Sequence, residues 1–322
     1  MSIFDTGGNP IKKHIKVVPV FLTINNGYAP YAAAAIHSLT QKCDKKRYYR
    51  VIILHDGLNW VNRVRLRSLV TKNVAIQFKK ITHNLYLKAI VKYCSKRKGA
   101  GDFFSAAVYY YRFFIPRLFP MYNKCVYIDS DTILRGDVGE LFDIELDDKT
   151  VAATIDPKVT VIPEFRHYVD KAVGVPHDEY VNDGVMVMDL KKMRKMKYLS
   201  QMIELIQEYD ADLVAPDQDY LNVILMGQIK PLPGCWNAEP SEEMPVETKL
   251  VHFNLFNKPW HYKNVPQEKL FWNAARGTGF YGDLKRQQEA FDEEKQRIDH
   301  EKVAALVKKG ERLAKGGLLF KK

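Results

Sequence analysis

The 322-residue chain is poor in cysteine and has no long apolar run. Its four cysteines (Cys43, Cys94, Cys125 and Cys235) are scattered, with no Cys-x-x-Cys pair. That spacing excludes a small disulfide-stapled fold and gives no support to a zinc cluster, so all four are expected to be free thiols. The longest apolar runs, such as Val17 to Leu22, fall far short of the roughly 20 residues a membrane span needs. Nor does the N-terminus join a charged start, an apolar stretch and a small-residue cleavage site. The expectation is a cytoplasmic protein, at most peripheral on the inner face of the cell membrane. Internal repeats and low-complexity segments are also lacking. Acidic residues are scarce in two places. Lys42 to Lys98 carries sixteen basic residues against Asp44 and Asp56, and Lys302 to Lys322 carries seven against Glu311. No helix-turn-helix, RRM or KH pattern accompanies these blocks, so nucleic acid is not an expected partner. They suit an anionic lipid surface or an acidic acceptor, or simply a solvated face.

What is present is an ordinary globular composition, 46% hydrophobic, long enough to bury one large α/β domain or two modest ones. Ile15 to Ile24 reads as a buried strand, followed by a turn at Asn25-Asn26-Gly27 and an alanine-rich helix over Tyr31 to Leu39. Tyr49 to Leu54 repeats the strand, Trp60 to Val70 the helix, and Val74 to Phe78 the strand. Tyr109 to Phe114 leads through Pro116 and Pro120 to Cys125-Val126-Tyr127-Ile128, and Val151 to Ile155 is a further strand. This alternation predicts an open, mostly parallel sheet flanked by helices, with functional residues just beyond the carboxyl ends of the strands. We divide the chain into a leader (1–14), a catalytic domain (15–280) and a charged, helical C-terminal tail (281–322). Val303, Leu306, Val307 and Leu313 fall at helical spacing in that tail, and its basic face could rest on an anionic membrane. Packing on the catalytic domain is the alternative.

Four groups of residues carry chemistry. Asp129-Ser130-Asp131 ends an apolar strand; residues two apart in an extended chain share a side, so both carboxylates can reach one hard cation such as Mg²⁺ or Mn²⁺. Asp210-Ala211-Asp212 and Asp217-Gln218-Asp219 have the same spacing, but neither directly follows a strand. Asn182-Asp183-Gly184 precedes an apolar run, and the Asn182 amide suits sugar hydroxyls, unless the triplet only supplies a turn with positive φ. Pro216-Asp217-Gln218-Asp219 reads as a helix start, with its acids on the macrodipole or on a ligand. His252 ends the short run Leu250-Val251-His252, six residues before Lys258-Pro259-Trp260; an imidazole can ligate a metal and a lysine can neutralise phosphate. Together these groups form the inventory that activates a sugar diphosphate.

In this order the motifs resemble glycosyltransferase family 8, the group that includes bacterial lipopolysaccharide galactosyl- and glucosyltransferases and glycogenin. The resemblance runs from about Val17 to Tyr262. It is carried by Val20-Phe21-Leu22-Thr23 with Asn25 and Tyr28, Tyr111-Arg112, Tyr127-Ile128-Asp129-Ser130-Asp131, Asn182-Asp183-Gly184-Val185, Asp217-Gln218-Asp219 and His252 with Lys258-Pro259-Trp260. It implies a GT-A fold, a Rossmann-like mixed and mostly parallel sheet flanked by helices, and retaining transfer of glucose or galactose from a UDP-sugar. The implied cofactor is Mn²⁺, with Mg²⁺ possible, held by Asp129, Asp131 and His252. Thr23, Asn25, Tyr28, Asp129, Ser130 and Lys258 would bind the nucleotide; Arg112, Asp183 and Asp217 the donor sugar; Gln218, Asp217 and Asn182 would serve catalysis. The implied acceptor is a cell-surface glycan or glycolipid, or else a glycoprotein. Many members carry a glycine between the metal histidine and the lysine, where this chain has Asn254-Leu255-Phe256-Asn257. The loop over the pyrophosphate is therefore expected to close differently. A phosphatase of the haloacid dehalogenase type is the distant rival, since an apolar strand delivering two aspartates fits it too, but Ile133 stands where that group wants Thr or Val.

Overall fold

The computed structural model describes residues 16–82, 84–96 and 107–320. The expected leader over 1–14 and the final Lys321-Lys322 lie outside the described residues. Nine strands occur among them: β1 (Val17–Ile24), β2 (Tyr48–His55), β3 (Val74–Lys80), β4 (Lys124–Ile128), β5 (Thr132–Leu134), β6 (Val151–Ile155), β7 (Val181–Asp189), β8 (Ile229–Pro231) and β9 (Leu250–His252). Seven form one sheet in the order β3-β2-β1-β4-β7-β6-β8, and β5 pairs with β9 in a small second sheet. β1 is parallel to β2 and β4, β2 to β3, and β6 to β8. Within the seven-stranded sheet β7 alone runs antiparallel, against both β4 and β6, and β5 and β9 are antiparallel in the small sheet. The sheet is thus mixed and mostly parallel, as expected. β1 is apolar along its length because it is central and covered on both faces, which removes the alternation a half-exposed strand would show.

Helix α1 (Ala29–Lys42) covers one face; Ala32, Ala33, Ala34 and Ala35 are fully buried, small side chains that let the helix lie close to β1. Helix α2 (Trp60–Arg67) stops three residues short of the expected Val70, and α3 (Leu85–Ser95) packs on the opposite face. Ala107–Phe114 forms a 3₁₀ helix that buries Arg112 among aromatics.

One expectation needs revision, and for the tail the packing alternative is favoured. Asn182-Asp183-Gly184 is not a turn before the strand but the start of β7, and Gly184 is not among the residues with positive φ. The tail holds two helices, Tyr281–Glu289 and Glu293–Gly316, and the second packs on the catalytic fold: Leu306, Gly310 and Leu313 face inward against the helix Pro163–Tyr168. A Cβ on Gly310 would meet the Phe165 ring at 3.4 Å, an ordinary contact distance, so the two helices pack closely at this point. Beyond it the Leu319 amide donates to the Ala172 carbonyl at 2.8 Å, and the Phe320 ring packs edge-on against Tyr209 and Tyr220. These terminal apolar residues therefore pack against the chain's own core. Among the described residues no helix is long and apolar enough to cross a membrane.

Candidate active site

The antiparallel β7 explains how the site assembles. β1 and β4 run the same way, so Thr23 and Asp129 sit at their carboxyl ends. β7 enters from that same end, and its register places Val185 opposite Ile128 and sends the Asp129 amide to the Gly184 carbonyl at 2.7 Å. The start of one strand thereby meets the end of the other, and Asn182 and Asp183 come beside Asp129. β9 adds the third component: Thr132 pairs with His252, and the Phe253 amide donates to the Asp131 carbonyl at 3.0 Å.

Asp129, Asp131 and His252 each offer one ligand atom, and these lie within 4.8 Å of one another. His252 Nε2 is 3.1 Å from Asp131 Oδ1 and 4.0 Å from Asp129 Oδ2. His252 Nδ1 lies 2.8 Å from the side-chain oxygen Oδ1 of Asn237, and Nδ2 of the same amide donates to Asn182 Oδ1. With Nδ1 donating to Asn237, Nε2 faces the two carboxylates, where a protonated imidazole donates to Asp131 and a neutral one turns its lone pair toward a cation held between them. Two carboxylates and an imidazole suit Mn²⁺ better than Mg²⁺. Lys258 Nζ lies 2.5 Å from Asp131 Oδ2 and also donates to the Phe253 carbonyl. Burial pushes the Asp131 carboxyl up, but the charges of Lys258 and His252 outweigh it and hold the group well below the usual carboxylate range.

Charge accounting points the same way. The Arg112 guanidinium, almost fully buried, meets Asp183 Oδ1 at 2.7 Å, Asp129 Oδ1 at 3.1 Å and Asp217 Oδ2 at 3.4 Å, and stacks over the Tyr127 ring. With His252 neutral, Asp129, Asp131, Asp183 and Asp217 face Arg112 and Lys258, leaving two uncompensated negative charges, the deficit a divalent cation would fill. Without it protons relieve the surplus: burial raises the Asp217 carboxyl to about 6 and Asp183 well above its ordinary value, against the pull of Arg112. The second carboxylate oxygen of Asp183 is buried with no hydrogen-bond partner and lies in the cleft wall.

Deeper in the cleft the Gln218 amide is held from three sides. Its nitrogen donates to Asp156 Oδ2 at 2.8 Å, and its oxygen accepts from the Asn182 amide at 3.1 Å and the Asp183 backbone at 3.3 Å. Thr23 Oγ1 contacts the Tyr127 hydroxyl at 2.9 Å, and that hydroxyl donates to Asp129 at 2.7 Å. Asn25 caps the short turn by accepting from the Tyr28 amide at 3.1 Å. The phenol of Tyr28 is raised well above its usual value by neighbouring Tyr109 and by burial. Thr23, Asn25, Tyr28, Arg112, Asp129, Ser130, Asp131, Asn182, Asp183, Asp217, Gln218 and Lys258 all line one cleft, with His252 against its wall. Every residue expected at the site is therefore brought together.

Several important residues were not among those expected. Asp156 follows β6 directly, as Asp129 follows β4, so the rule that site residues follow apolar runs could have found it. Asn237, which orients His252, and Tyr127, which orients Asp129, have no local signal. Asp219, third in its triplet, accepts from the hydroxyls of Tyr168 at 2.7 Å and Tyr180 at 2.6 Å in full burial. Burial raises its carboxyl to about 7, although both tyrosines pull it down. The native state then holds a proton between about pH 4 and 7 that the unfolded chain has released, so this group's contribution to stability falls as pH rises, by up to about 1.4 kcal/mol per unit. Thermal unfolding of Asp219→Asn across that range should show a flatter pH profile than wild type.

Gly184 has a spatial role. A Cβ there would lie 2.4 Å from His252 Cε1, 2.8 Å from Asp129 Oδ2 and 2.9 Å from Asn182 Oδ1. Gly184→Ala must displace all three, and a misplacement of about 1 Å costs about 100-fold in turnover. Activity and metal titration of a variant with wild-type circular dichroism would check this. The loop after His252 also shows its departure from the glycine pattern: Leu255 and Asn257 have φ of 61° and 50°. These are left-handed conformations that favour glycine. Leu255 adopts one with its side chain packed on the apolar cluster of Phe165 and Leu306.

Comparison with known proteins agrees with this geometry. Residues 19–264 match glycosyl transferase family 8. General stress protein A of Bacillus subtilis (strain 168) is 27% identical over 269 residues, covering 76% of this chain and 88% of that protein. A lipopolysaccharide 1,2-glucosyltransferase of Escherichia coli (strain K12) is 26% identical over 216 residues, covering 61% of this chain and 62% of that protein. Among solved structures, the galactosyltransferase LgtC, determined with donor and acceptor sugar analogues, superposes with a TM-score of 0.66 at 20% identity, over 81% of this chain and 96% of that one. The bifunctional glycosyltransferase WbbM gives 0.67 at 22% identity over 88% of this chain, which spans only 53% of WbbM. These superpositions show the GT-A fold, and the phosphatase alternative, which rested on the strand-end aspartates alone, gives way. The chain belongs to glycosyl transferase family 8.

Proposed function

We propose that the protein is a Mn²⁺-dependent, retaining hexosyltransferase that moves glucose or galactose from a UDP-sugar to a cell-surface glycan or glycolipid. One observation carries this reading: an Asp-Asp-His ligand set, two charges short of neutrality, opens into the same cleft as a fixed network of amides and carboxylates suited to sugar hydroxyls. The relatives named for lipopolysaccharide glucosyl transfer and for galactosyl transfer support a hexose donor and an envelope acceptor.

When bound by Asp129, Asp131 and His252, the ion supplies Lewis-acid stabilisation of the departing diphosphate. Lys258 is the second cation available to that charge. Thr23, Asn25 and Tyr28 form the wall for the uridine, with Tyr28 offering an aromatic face. The unpartnered oxygen of Asp183 is an acceptor for a donor-sugar hydroxyl, and Arg112 keeps Asp183 and Asp217 in place beside it. Gln218 is an amide anchored by Asp156, Asn182 and Asp183, which favours positioning over attack on the sugar. Asp219 is enclosed by tyrosines. Arg112 holds Asp183 and Asp217, and burial raises both carboxyls, which makes them poor nucleophiles, so we favour departure and attack on one face: the acceptor oxygen bonds to the anomeric carbon as the bond from that carbon to the β-phosphate oxygen breaks, and the acceptor proton passes to a β-phosphate oxygen of the departing UDP.

Hydrolysis of UDP-glucose, UDP-galactose and UDP-N-acetylhexosamines with Mn²⁺, with Mg²⁺ and with chelator tests this, with product anomers read by NMR. Metal-independent turnover or an inverted anomer would overturn it, as would a sugar trapped covalently on Asp217 or Gln218.

A further inference from the structure

The basic block between Lys42 and Lys98 has no part in the cleft chemistry, yet the fold gathers six of its sixteen basic residues toward one end of the molecule. β2 and β3 are parallel, so their carboxyl ends share one edge of the sheet, and β3 is the edge strand. α2 starts after β2 and α3 after β3, on opposite faces, so both N-termini emerge at that edge. Here the chain places its one exposed tryptophan beside exposed aliphatic residues, although Met121, Val161 and Val246 are exposed elsewhere. Trp60 is 76% exposed, Leu85 81%, Val61 48% and Val64 45%, whereas Trp236, Trp260 and Trp272 are each 6% exposed or less. Leu66 faces the core; Trp60, Val61 and Val64, at helical spacing, form the outer stripe of α2. Beside this stripe stand Arg63 and Arg67 of α2; Lys79 and Lys80 end β3, and Lys88 and Lys92 lie on α3 on the other face of the sheet. None of these six has a carboxylate partner in an ion pair among the described residues; the acids near this end are Asp56 and Asp283, the latter paired with Arg65 of α2 at 2.6 Å.

We propose that this end of the molecule, centred on Trp60, docks on the surface of an anionic lipid bilayer. A tryptophan flanked by aliphatic residues and framed by arginine and lysine is the side-chain combination that seats at a headgroup boundary: the ring and methyl groups enter the interface while the cations remain with the phosphates. A nucleic acid would use the cations but leaves no role for Val61, Val64 and Leu85. A second copy would bring two basic faces together. The surface is also placed to matter for the cleft. The Asn59 amide and the Asn62 side chain at the start of α2 both hydrogen-bond Asn26, next to the cleft residue Asn25, at 2.9 and 3.0 Å. A bilayer on α2 therefore lies beside the cleft mouth. The inference stands independently of the donor chemistry proposed above.

Trp60 is the exposed tryptophan among four, so the protein carries its own reporter. Vesicles of phosphatidylcholine alone and with 30% phosphatidylglycerol are titrated into the full chain. The expected result is a blue shift of tryptophan emission and its quenching by brominated acyl chains with the anionic vesicles only, weakening as salt is raised. Trp60→Ser with Val61→Ser and Val64→Ser should lower sedimentation with these vesicles by at least about tenfold. Lys79→Glu with Lys80→Glu, which keeps the reporter, should abolish the shift, and thermal unfolding of each variant checks its fold. Four results would each overturn the proposal: no shift with anionic vesicles; equal binding to neutral ones; undiminished binding by the serine variant; or a shift that grows with protein concentration without lipid, which would make the partner a second copy. Loss of binding on replacing Lys308, Lys309 and Lys315 of the tail by Gln, with the serine variant unaffected, would move the contact to the tail.

Discussion

Asp131→Ala is expected to abolish Mn²⁺ binding and to lower UDP-sugar turnover by at least about a thousandfold, close to 4 kcal/mol of transition-state stabilisation. Asp131 is the member of the ligand set that the other parts meet: His252 Nε2 lies 3.1 Å from one oxygen and Lys258 Nζ 2.5 Å from the other. Its removal takes away a ligand and leaves Lys258 without the carboxylate that it contacts. Lys258→Met separates the two effects. It should leave Mn²⁺ binding intact or tighten it without nucleotide, since the ion no longer competes with an ammonium for Asp131, while UDP affinity falls. Calorimetry with Mn²⁺ and with UDP, run separately on both variants, distinguishes loss of the ion from loss of the diphosphate contact. Asp212→Ala is the control. It removes an acid from a triplet of the same spacing, but Asp212 is exposed and paired with Lys309 and Arg312, so turnover should be unchanged.

The three Asp-x-Asp triplets show what was legible in the sequence. Asp129 and Asp131 could be read because an apolar strand delivers them, and strand ends are where an α/β sheet exposes functional groups. Asp210 and Asp212 form surface ion pairs with Lys96, Lys309 and Arg312, as the weakness of the bare pattern suggested. Asp217 and Asp219 are both buried, on the first turn of one helix, but they do different things: Asp217 faces Arg112 and the cleft, while Asp219 is enclosed by two tyrosine hydroxyls from distant segments. No local pattern separates them, because the tyrosines are 51 and 39 residues away. The same limit hid Asn237, whose tie to His252 depends on the pairing of Ala238 with Val251. The direction of β7 was equally silent. An apolar run carries no sign of whether it is parallel or antiparallel, and this reversal makes Asn182-Asp183-Gly184 part of a strand. In the tail the helical period was legible, but whether its apolar stripe met lipid or protein depended on what Phe165 and Ala172 presented to it.

Arg112→Met is expected to be the most destabilising single change near the cleft, by about 3–5 kcal/mol, because it removes the one cation shared by three carboxylates while leaving all three in place. Burial by itself would lower the Arg112 guanidinium, but Asp129 and Asp183 outweigh that and raise it well above its ordinary value, so it stays charged at every accessible pH. Methionine fills part of the volume and supplies none of the donors to Asp183, Asp129 or the Tyr109 carbonyl. In wild type the pull of Arg112 opposes the rise of Asp183 and Asp217. Without it both rise further, and the native state binds protons that the unfolded chain releases above about pH 4. The variant's stability therefore falls as pH increases, and its deficit against wild type should be smaller at pH 5.5 than at pH 8. Urea unfolding at the two pH values measures this, and an equal deficit at both would show that lost packing, and not uncompensated charge, sets the cost. Saturating Mn²⁺ should recover part of the loss at pH 8, since a cation on Asp129 stands close to the position the guanidinium vacated, whereas Lys258→Met with Arg112→Met should deepen it.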